Sequence, residues 1–335
     1  MDDAPGSMKS DAHIPWTAVL GGVVTVALFS LTIPFMRLAV RELDPTILGV
    51  GRILLAAVPA TIVLGFQGVP RLSWGQFGRL CVVICCLVFG FAWLVATALR
   101  TVPSHHAAIV TGGIPLFTAI AATLRGGRHP GARFWTAAAA GSLLVAGYGI
   151  ARSGGVLSQA DLLLLAAAAV CGIGYSEGVR LSAEIGATRV TCLMPIVAAP
   201  AALLVCWGKW PASWESIHAL SWFCWLYNGL ISAFGAFFLW YPALRRGGPA
   251  RIGQIQLIQP FLTLASSALL LHEQLTGIDW LVAAAVVACV VVAQRSGDRG
   301  SAAKREQEVS INQSSEDASK ERGRLAIANA KRSEQ

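Results

Sequence analysis

Long apolar runs, separated by short polar connections, recur ten times along the chain. A helix needs about 20 mostly apolar residues to cross the hydrocarbon of a bilayer. The runs do not alternate with a period of two, and backbone groups in lipid have no water to bind. The pattern therefore predicts membrane helices and not a β-barrel. The runs extend over Trp16–Phe35, Ile47–Phe66, Leu80–Leu99, Ala107–Leu124, Phe134–Ile150, Leu162–Val179, Val190–Trp207, Trp222–Leu244, Ile252–Leu271 and Trp280–Ala293.

Two stretches of the chain match each other at a constant shift of 145 residues. A fixed offset over such a length predicts a duplicated helical unit. In membrane proteins, two similar bundles around a central site are a common design of transporters. The matched positions are Phe89-Gly90 with Phe234-Gly235, Ala98-Leu99-Arg100 with Ala243-Leu244-Arg245, Pro115 with Pro260, and Trp135 with Trp280.

Composition and charge agree with a membrane protein and suggest its orientation. Hydrophobic residues make up 55% of the chain and charged residues 13%, whereas soluble domains carry about 25% charged residues. The connections after the even-numbered runs hold ten Lys and Arg residues, and those after the odd-numbered runs hold five. Cytoplasmic connections are the richer in cations, so both termini are expected in the cytoplasm. The net charge of +8 lies mainly around the apolar runs, which indicates lipid contact and not nucleic acid binding.

The two ends of the chain differ in character from the apolar body. Residues 1–15 hold three Asp and one Lys and lack the cationic start of a removable signal peptide, so we expect a cytoplasmic segment and an uncleaved first helix. Met8 is an alternative start. Residues 296–335 are polar, nearly balanced in charge and without apolar periodicity, which predicts a disordered cytoplasmic tail.

The order of motifs within each half resembles that of a known transporter family. An Ala-Leu-Arg helix end is followed by a small-residue helix with a central proline, a short connection with the acidic Glu273, and a helix such as Ala137–Gly149. This order is similar to that of the EamA family of the drug/metabolite transporter (DMT) superfamily. The resemblance implies an all-α integral membrane protein of ten transmembrane helices. They would form two five-helix inverted repeats, over residues 16–150 and 161–294. The first half departs from the pattern, since Arg128 stands where the second half has Glu273.

Two ionisable residues stand inside the predicted helices, where charge is costly and usually functional. Arg52 lies about two turns into the second run, and Glu177 lies in the last third of the sixth. Arg52 either extends its long side chain to the membrane interface or contacts substrate. Glu177 either pairs with Arg180 at i,i+3 or contacts substrate. In the functional interpretation the two residues bind a zwitterion from opposite ends.

Uncharged polar residues in the predicted helices extend this candidate site. Gln256 and Gln259 are about 60° apart on one helix face, while Gln254 points nearly opposite to Gln256. Such groups either bond between helices or line a cavity, and as a set they favour a polar cavity. The predicted substrate-binding residues are Ser30, Thr32, Arg52, Tyr175, Glu177, Gln256 and Gln259.

Histidine and cysteine do not predict a metal site. His105 and His106 are adjacent and so point in different directions on a helix, unlike an i,i+4 zinc pair. We expect them at the membrane interface. The eight Cys residues all lie in apolar runs without ligand spacing, which is typical of packing residues. No metal and no cofactor is predicted.

These observations favour a carrier over an enzyme. We expect a secondary transporter that exports a small metabolite, an amino acid or a related compound, by alternating access. The alternative is an integral-membrane enzyme acting on a lipid or small amphipathic substrate, which needs a nucleophile–base pair or metal ligands. The sequence contains no Gly-x-Ser-x-Gly and no His-Glu-x-x-His. The expected partners are the small-molecule substrate and the lipid bilayer, with the protein a monomer or homodimer in the bacterial cytoplasmic (inner) membrane.

Overall fold

The computed structural model describes residues 16–124, 132–152, 156–247 and 255–293. The predicted N-terminal segment 1–15 and tail 296–335, together with Arg128 and Gln254, lie outside the described residues. The described residues form ten helices and no strand. In chain order these are α1 Trp16–Ala39, α2 Ile47–Gln67, α3 Trp74–Ala98, α4 Ser104–Leu124, α5 Ala132–Arg152, α6 Gln159–Ile185, α7 Ala187–Cys206, α8 Ala219–Ala243, α9 Gln256–Leu271 and α10 Gly277–Ala293.

The helices follow the apolar runs, and eight of them are long and apolar enough to cross a membrane. The helices α9 and α10 are apolar but shorter. The all-helical class is therefore confirmed for the described residues, while ten membrane-spanning helices remain a prediction. Several observed helices begin before the apolar run that predicted them, because a polar first turn caps the helix. For example, α6 starts three residues before Leu162, with Ser158 accepting a hydrogen bond from the Asp161 amide.

Consecutive helices run in opposite directions, so their connections collect at two ends of the bundle. We call the end with the connections after α1, α3, α5, α7 and α9 the first end, and the opposite end the second end. A hydrogen bond of 2.8 Å from Arg152 to Thr276 joins two connections of the first end. At the second end, Gln76 donates to Glu184 over 3.2 Å.

Helices from the two halves of the chain interleave. The helix α2 packs against α7 and α8, α4 packs against α6, and α1 packs against α8. Two close approaches depend on glycine. A Cβ atom on Gly172 of α6 would lie 2.6 Å from the backbone of Phe117 in α4, and one on Gly229 of α8 would lie 2.7 Å from the carbonyl oxygen of Arg52 in α2. These contacts fix the helices that carry Arg52 and Tyr175.

The 145-residue repeat has a counterpart in the backbone. Cys85–Phe91 in α3 and Tyr227–Gly235 in α8 are π-helical, and Gly90 and Gly235 hold equivalent positions in them. A Cβ atom on Gly90 or Gly235 would lie 3.1 Å or 2.9 Å from the carbonyl oxygen five residues earlier. The wide turn therefore favours glycine at the same place in both halves.

Candidate functional site

Three polar side chains from different helices lie near one another inside the bundle. Arg52 comes from α2, Tyr175 from α6 and Tyr241 from α8. Protein atoms surround all three side chains, yet Arg52 and Tyr241 stay partly accessible and Tyr175 is 36% exposed. Accessible surface on side chains that are surrounded by protein indicates that they face an internal space. We call this space, lined by Arg52, Tyr175 and Tyr241, the central cleft.

Arg52 is the cation of the central cleft. Its guanidinium is close enough to Tyr175 and to the Cys171 thiol for electrostatic interaction, but no described carboxylate forms an ion pair with it. A guanidinium without a counterion in a protein interior is costly and usually functional.

The two tyrosines supply hydroxyl groups next to Arg52. Tyr175 lies close to the Cys171 thiol one turn earlier on α6, and it interacts electrostatically with Tyr241. Tyr241 in turn accepts a hydrogen bond of 3.3 Å from Thr191 of α7. Phenolic hydroxyls both donate and accept hydrogen bonds. The cleft thus combines one positive charge with neutral polar groups.

The other predicted site residues have partners of their own or lie elsewhere. The Ser30 hydroxyl donates to the Ala27 carbonyl of its own helix over 2.7 Å. Thr32 is hydrogen-bonded to Ser232 of α8 at 2.7 Å, which is an interhelical contact. Gln256 and Gln259 are partly accessible in the first two turns of α9. The structure therefore brings Arg52 and Tyr175 together, and shows no hydrogen bond from these four residues to that pair.

Glu177 differs from Arg52 in its surroundings. It is buried, at 5% exposure, and its carboxylate lies 3.6 Å from the Arg180 guanidinium. The i,i+3 pair that the sequence suggested as an alternative is therefore present. Glu177 is therefore paired with a residue of its own helix, whereas Arg52 faces the central cleft.

A carboxylate with 11% exposure holds the start of α4 at the first end. Glu273, in the connection after α9, accepts hydrogen bonds from the backbone amides of Ser104 and His105 over 2.7 Å and 3.0 Å. It also bonds to Nδ1 of His105 at 2.7 Å. Burial raises the pKa of Glu273, but these hydrogen bonds outweigh burial and keep the pKa below the ordinary 4.5. Next to this contact, the Ser104 and Ser267 hydroxyls meet at 2.7 Å.

A second buried pair joins α4 to α6. His106 Nε2 lies 2.6 Å from Asp161 Oδ1, and the two side chains are 4% and 2% exposed. The other oxygen of Asp161 accepts from the Ser158 amide at 2.9 Å and from its hydroxyl at 2.7 Å. The same carboxylate therefore closes the capping box of α6 and binds the neighbouring helix.

A third carboxylate joins α5 to α10. Asp279 is fully buried and accepts a hydrogen bond of 2.6 Å from the Tyr148 hydroxyl. It also forms an ion pair with Arg152 and accepts from the Thr276 amide and hydroxyl at 2.7 Å and 2.8 Å. We call the three contacts together the first-end network; its members are Ser104, His105, His106, Tyr148, Arg152, Ser158, Asp161, Ser267, Glu273, Thr276 and Asp279.

Most of this network was not expected from the sequence. The two histidines, which the sequence predicts at the membrane interface, lie in the first turn of α4 and are buried, because each meets a carboxylate from another part of the fold. Asp161 and Asp279 directly precede the apolar runs that begin at Leu162 and Trp280. Their signal is the capping box, Ser-x-x-Asp and Thr-x-x-Asp before an apolar run. Within the described residues the His, Cys, Asp and Glu side chains form no group suited to a metal ion.

The second end is held by weaker contacts. Arg79 and Glu184 form an ion pair there, with side chains 35% and 39% exposed. Toward this end the last part of α4 packs against α6. The first turn of α9 packs against α1, and its Leu257 packs against the apolar cluster that contains Leu116 of α4.

Comparisons with known proteins agree with this architecture. A family model described as the EamA-like transporter family matches residues 16–148 and 158–294. An uncharacterized transporter, YdeK of Bacillus subtilis (strain 168), is 37% identical over 279 residues, which cover 82% of this chain and 96% of that protein. A solved structure described only as "Crystal structure of protein" is similar with a TM-score of 0.58 and 21% identity, over 85% of this chain and 98% of the other. At that identity the likeness concerns the fold alone.

Proposed function

The chain belongs to the EamA-like transporter family, and from that premise we propose that it is a secondary transporter that exports a small metabolite by alternating access. The metabolite class is an amino acid or a related compound. The family and the name of the relative point to a transporter, which is the coarser part of this statement. The finer part, export of this class of substrate, rests on the central cleft.

The single observation that carries the proposal is the central cleft, in which Arg52 of the first half lies beside Tyr175 of the second half. A carrier exposes one central site to each side in turn. The first-end network would then be the closed gate, and the exposed contact of Arg79 with Glu184 would let the second end open. The substrate would enter from the second end and reach Arg52 and Tyr175 between the two halves.

The orientation follows from charge. Ten Lys and Arg residues flank the second end in the sequence and five flank the first end, so we place the second end in the cytoplasm. With α9 and α10 also crossing the bilayer, both termini are cytoplasmic and residues 16–150 and 161–294 form two inverted repeats. The protein would then reside in the bacterial cytoplasmic membrane, facing inward in this structure.

The proposal is tested by measuring export from cells that overproduce the protein. Cells would be challenged with a panel of toxic amino acid analogues, and growth would be compared with that of cells carrying an empty vector. We expect the wild-type protein to protect against a subset, and the double variant Tyr175→Phe, Gln256→Leu to lose the protection while its amount in the membrane stays the same. Loss of a substrate hydrogen bond costs about 0.5–1.5 kcal/mol for each group. Full protection by the double variant would remove the two residues from the site, and no protection by the wild type would contradict export of this class.

A further inference from the structure

We infer that the substrate carries a carboxylate, and that this carboxylate binds the guanidinium of Arg52 in the central cleft. The inference rests on the proposed function and deepens it, because it names the chemical group that the site recognises. The phenolic groups of Tyr175 and Tyr241 lie beside the guanidinium and complete the polar surface around it.

The Arg52 guanidinium has no carboxylate counterion among the described residues. Among the other helix arginines, Arg79, Arg152 and Arg180 each pair with a carboxylate of the protein, and Arg37 donates to the Leu99 carbonyl. Arg52 has neither kind of partner among the described residues, although it is the most deeply placed of the five. An anion that enters the cleft would supply the missing charge and satisfy the planar N–H donors.

The described helices hold no carboxylate without a partner in the protein. The ten helices carry four carboxylates, and each already has a partner in the protein: Asp161 with His106, Glu177 with Arg180, Glu184 with Arg79, and Asp279 with Arg152 and Tyr148. A cationic substrate would therefore find no counterion among the described helices. The cleft is selective by charge, and it favours an anionic group over a cationic one.

The single guanidinium also favours one type of anion, a monocarboxylate. One guanidinium matches a single negative charge, and its parallel N–H groups match the two oxygens of a carboxylate. A phosphate monoester carries up to two charges at neutral pH and would bring an excess negative charge into the interior. The cleft thus fits a monocarboxylate whose remaining polar atoms are neutral, or an amino acid whose ammonium group binds hydroxyl oxygens.

The first experiment identifies exported compounds without assuming a substrate. Culture medium would be compared, by untargeted mass spectrometry, between cells that overproduce wild-type protein, Arg52→Gln, or the control Arg79→Gln, which removes an exposed cation at the second end. We expect the compounds enriched by the wild type to carry a carboxylate, to stay enriched with Arg79→Gln and to lose enrichment with Arg52→Gln. Enriched compounds without an acidic group would overturn the inference and leave export intact. If no compound were enriched, the proposed function itself would fail.

The second experiment measures recognition directly and does not depend on transport. Purified wild-type protein in detergent would be titrated with each exported carboxylate and with its primary amide, and the midpoint of thermal unfolding would be followed. We expect the carboxylate to bind at least about tenfold more tightly than the amide, as for other hydrogen bonds to charged groups. Arg52→Lys keeps the charge without the planar donors, so its affinity for the carboxylate should lie between wild type and Arg52→Gln. Equal binding of acid and amide by wild type would overturn the inference even if the variants do not fold.

Discussion

The two ends of the bundle are held together by different chemistry. At the first end, Asp161 and Asp279 are buried and the Glu273 side chain is 11% exposed, and each of the three carboxylates binds groups from a distant segment of the chain. At the second end, the exposed pair of Arg79 and Glu184 joins α3 to α6. Exposed ion pairs contribute little to stability, whereas removing one partner of a buried pair is costly. The difference shows that polar contacts, as well as apolar packing, hold the helices together at the first end.

The asymmetry is already present in the sequence. Glu273 accepts the amide hydrogen bonds at the start of α4, and the position 145 residues earlier is Arg128. An arginine has no acceptor atom and cannot hold the start of a helix in this way. The two halves therefore differ in sequence at the position that supplies this contact in the second half.

The largest effect is expected from locking the first end. The Ser104 and Ser267 hydroxyl oxygens are 2.7 Å apart, close enough for two cysteines at these positions to form a disulfide. Oxidation of the double variant Ser104→Cys, Ser267→Cys should abolish export, and a reductant should restore it, because the first end can no longer open. Efflux of an exported compound would be measured before and after each treatment.

The two single-cysteine variants control for reactions with the eight native cysteines. They should respond to the oxidant no more than the wild type does. Undiminished efflux by a fully cross-linked double variant would show that the first end does not need to open.

A smaller effect is expected from removing one carboxylate at each end. Asp161→Ala should lower the free energy of unfolding by about 3 kcal/mol, since it removes a hydrogen bond to His106 and the cap of α6. Glu184→Ala, at the second end, should leave the unfolding midpoint unchanged because its pair with Arg79 is exposed. Thermal unfolding of the purified variants in the same detergent gives both values. Equal losses in the two variants would mean that the ends do not differ in the way described.

The smallest effect is a dependence of stability on pH at the first end. The pKa of Glu273 is lower in the folded protein than its ordinary value of 4.5, so its stabilising contribution is present above pH 4.5. It is lost as the pH falls through the folded pKa. Glu273 faces the His105 ring, the amides of Ser104 and His105, and the positive charge of Arg37.

The unfolding midpoint of the wild type should therefore fall more steeply as the pH drops below 4.5 than that of Glu273→Gln, which cannot titrate. Both proteins would be melted across the same buffers. Parallel curves would assign the acid sensitivity to other groups.

The positions of the helices could be predicted from the sequence because each apolar run favours a helix independently of the rest of the chain. A run such as Ile47–Phe66 must become a helix in lipid, whatever its neighbours are, and the structure has α2 at Ile47–Gln67. The repeat could be predicted as well, because pairs such as Gly90 and Gly235 match at a constant shift. The ends of the helices were less well predicted, because capping residues such as Ser158 are polar and resemble a connection.

The site was predictable in part for a related reason. Arg52 and Tyr175 stand out as polar residues within apolar runs, and the structure brings them together. His106 and Asp161 are 55 residues apart, and nothing in either segment alone indicates that the two would meet. Contacts between distant segments depend on how the helices pack, and a single sequence does not encode that packing in a local pattern.

The π-helical segments of α3 and α8 determine which substitutions these helices tolerate. A Cβ atom on Gly90 or Gly235 would lie 3.1 Å or 2.9 Å from the carbonyl oxygen five residues earlier. The wide turn in each helix therefore depends on one glycine. A larger residue at either position would force its helix toward ordinary α-helical winding, which would rotate the residues that follow and change the neighbours that they contact.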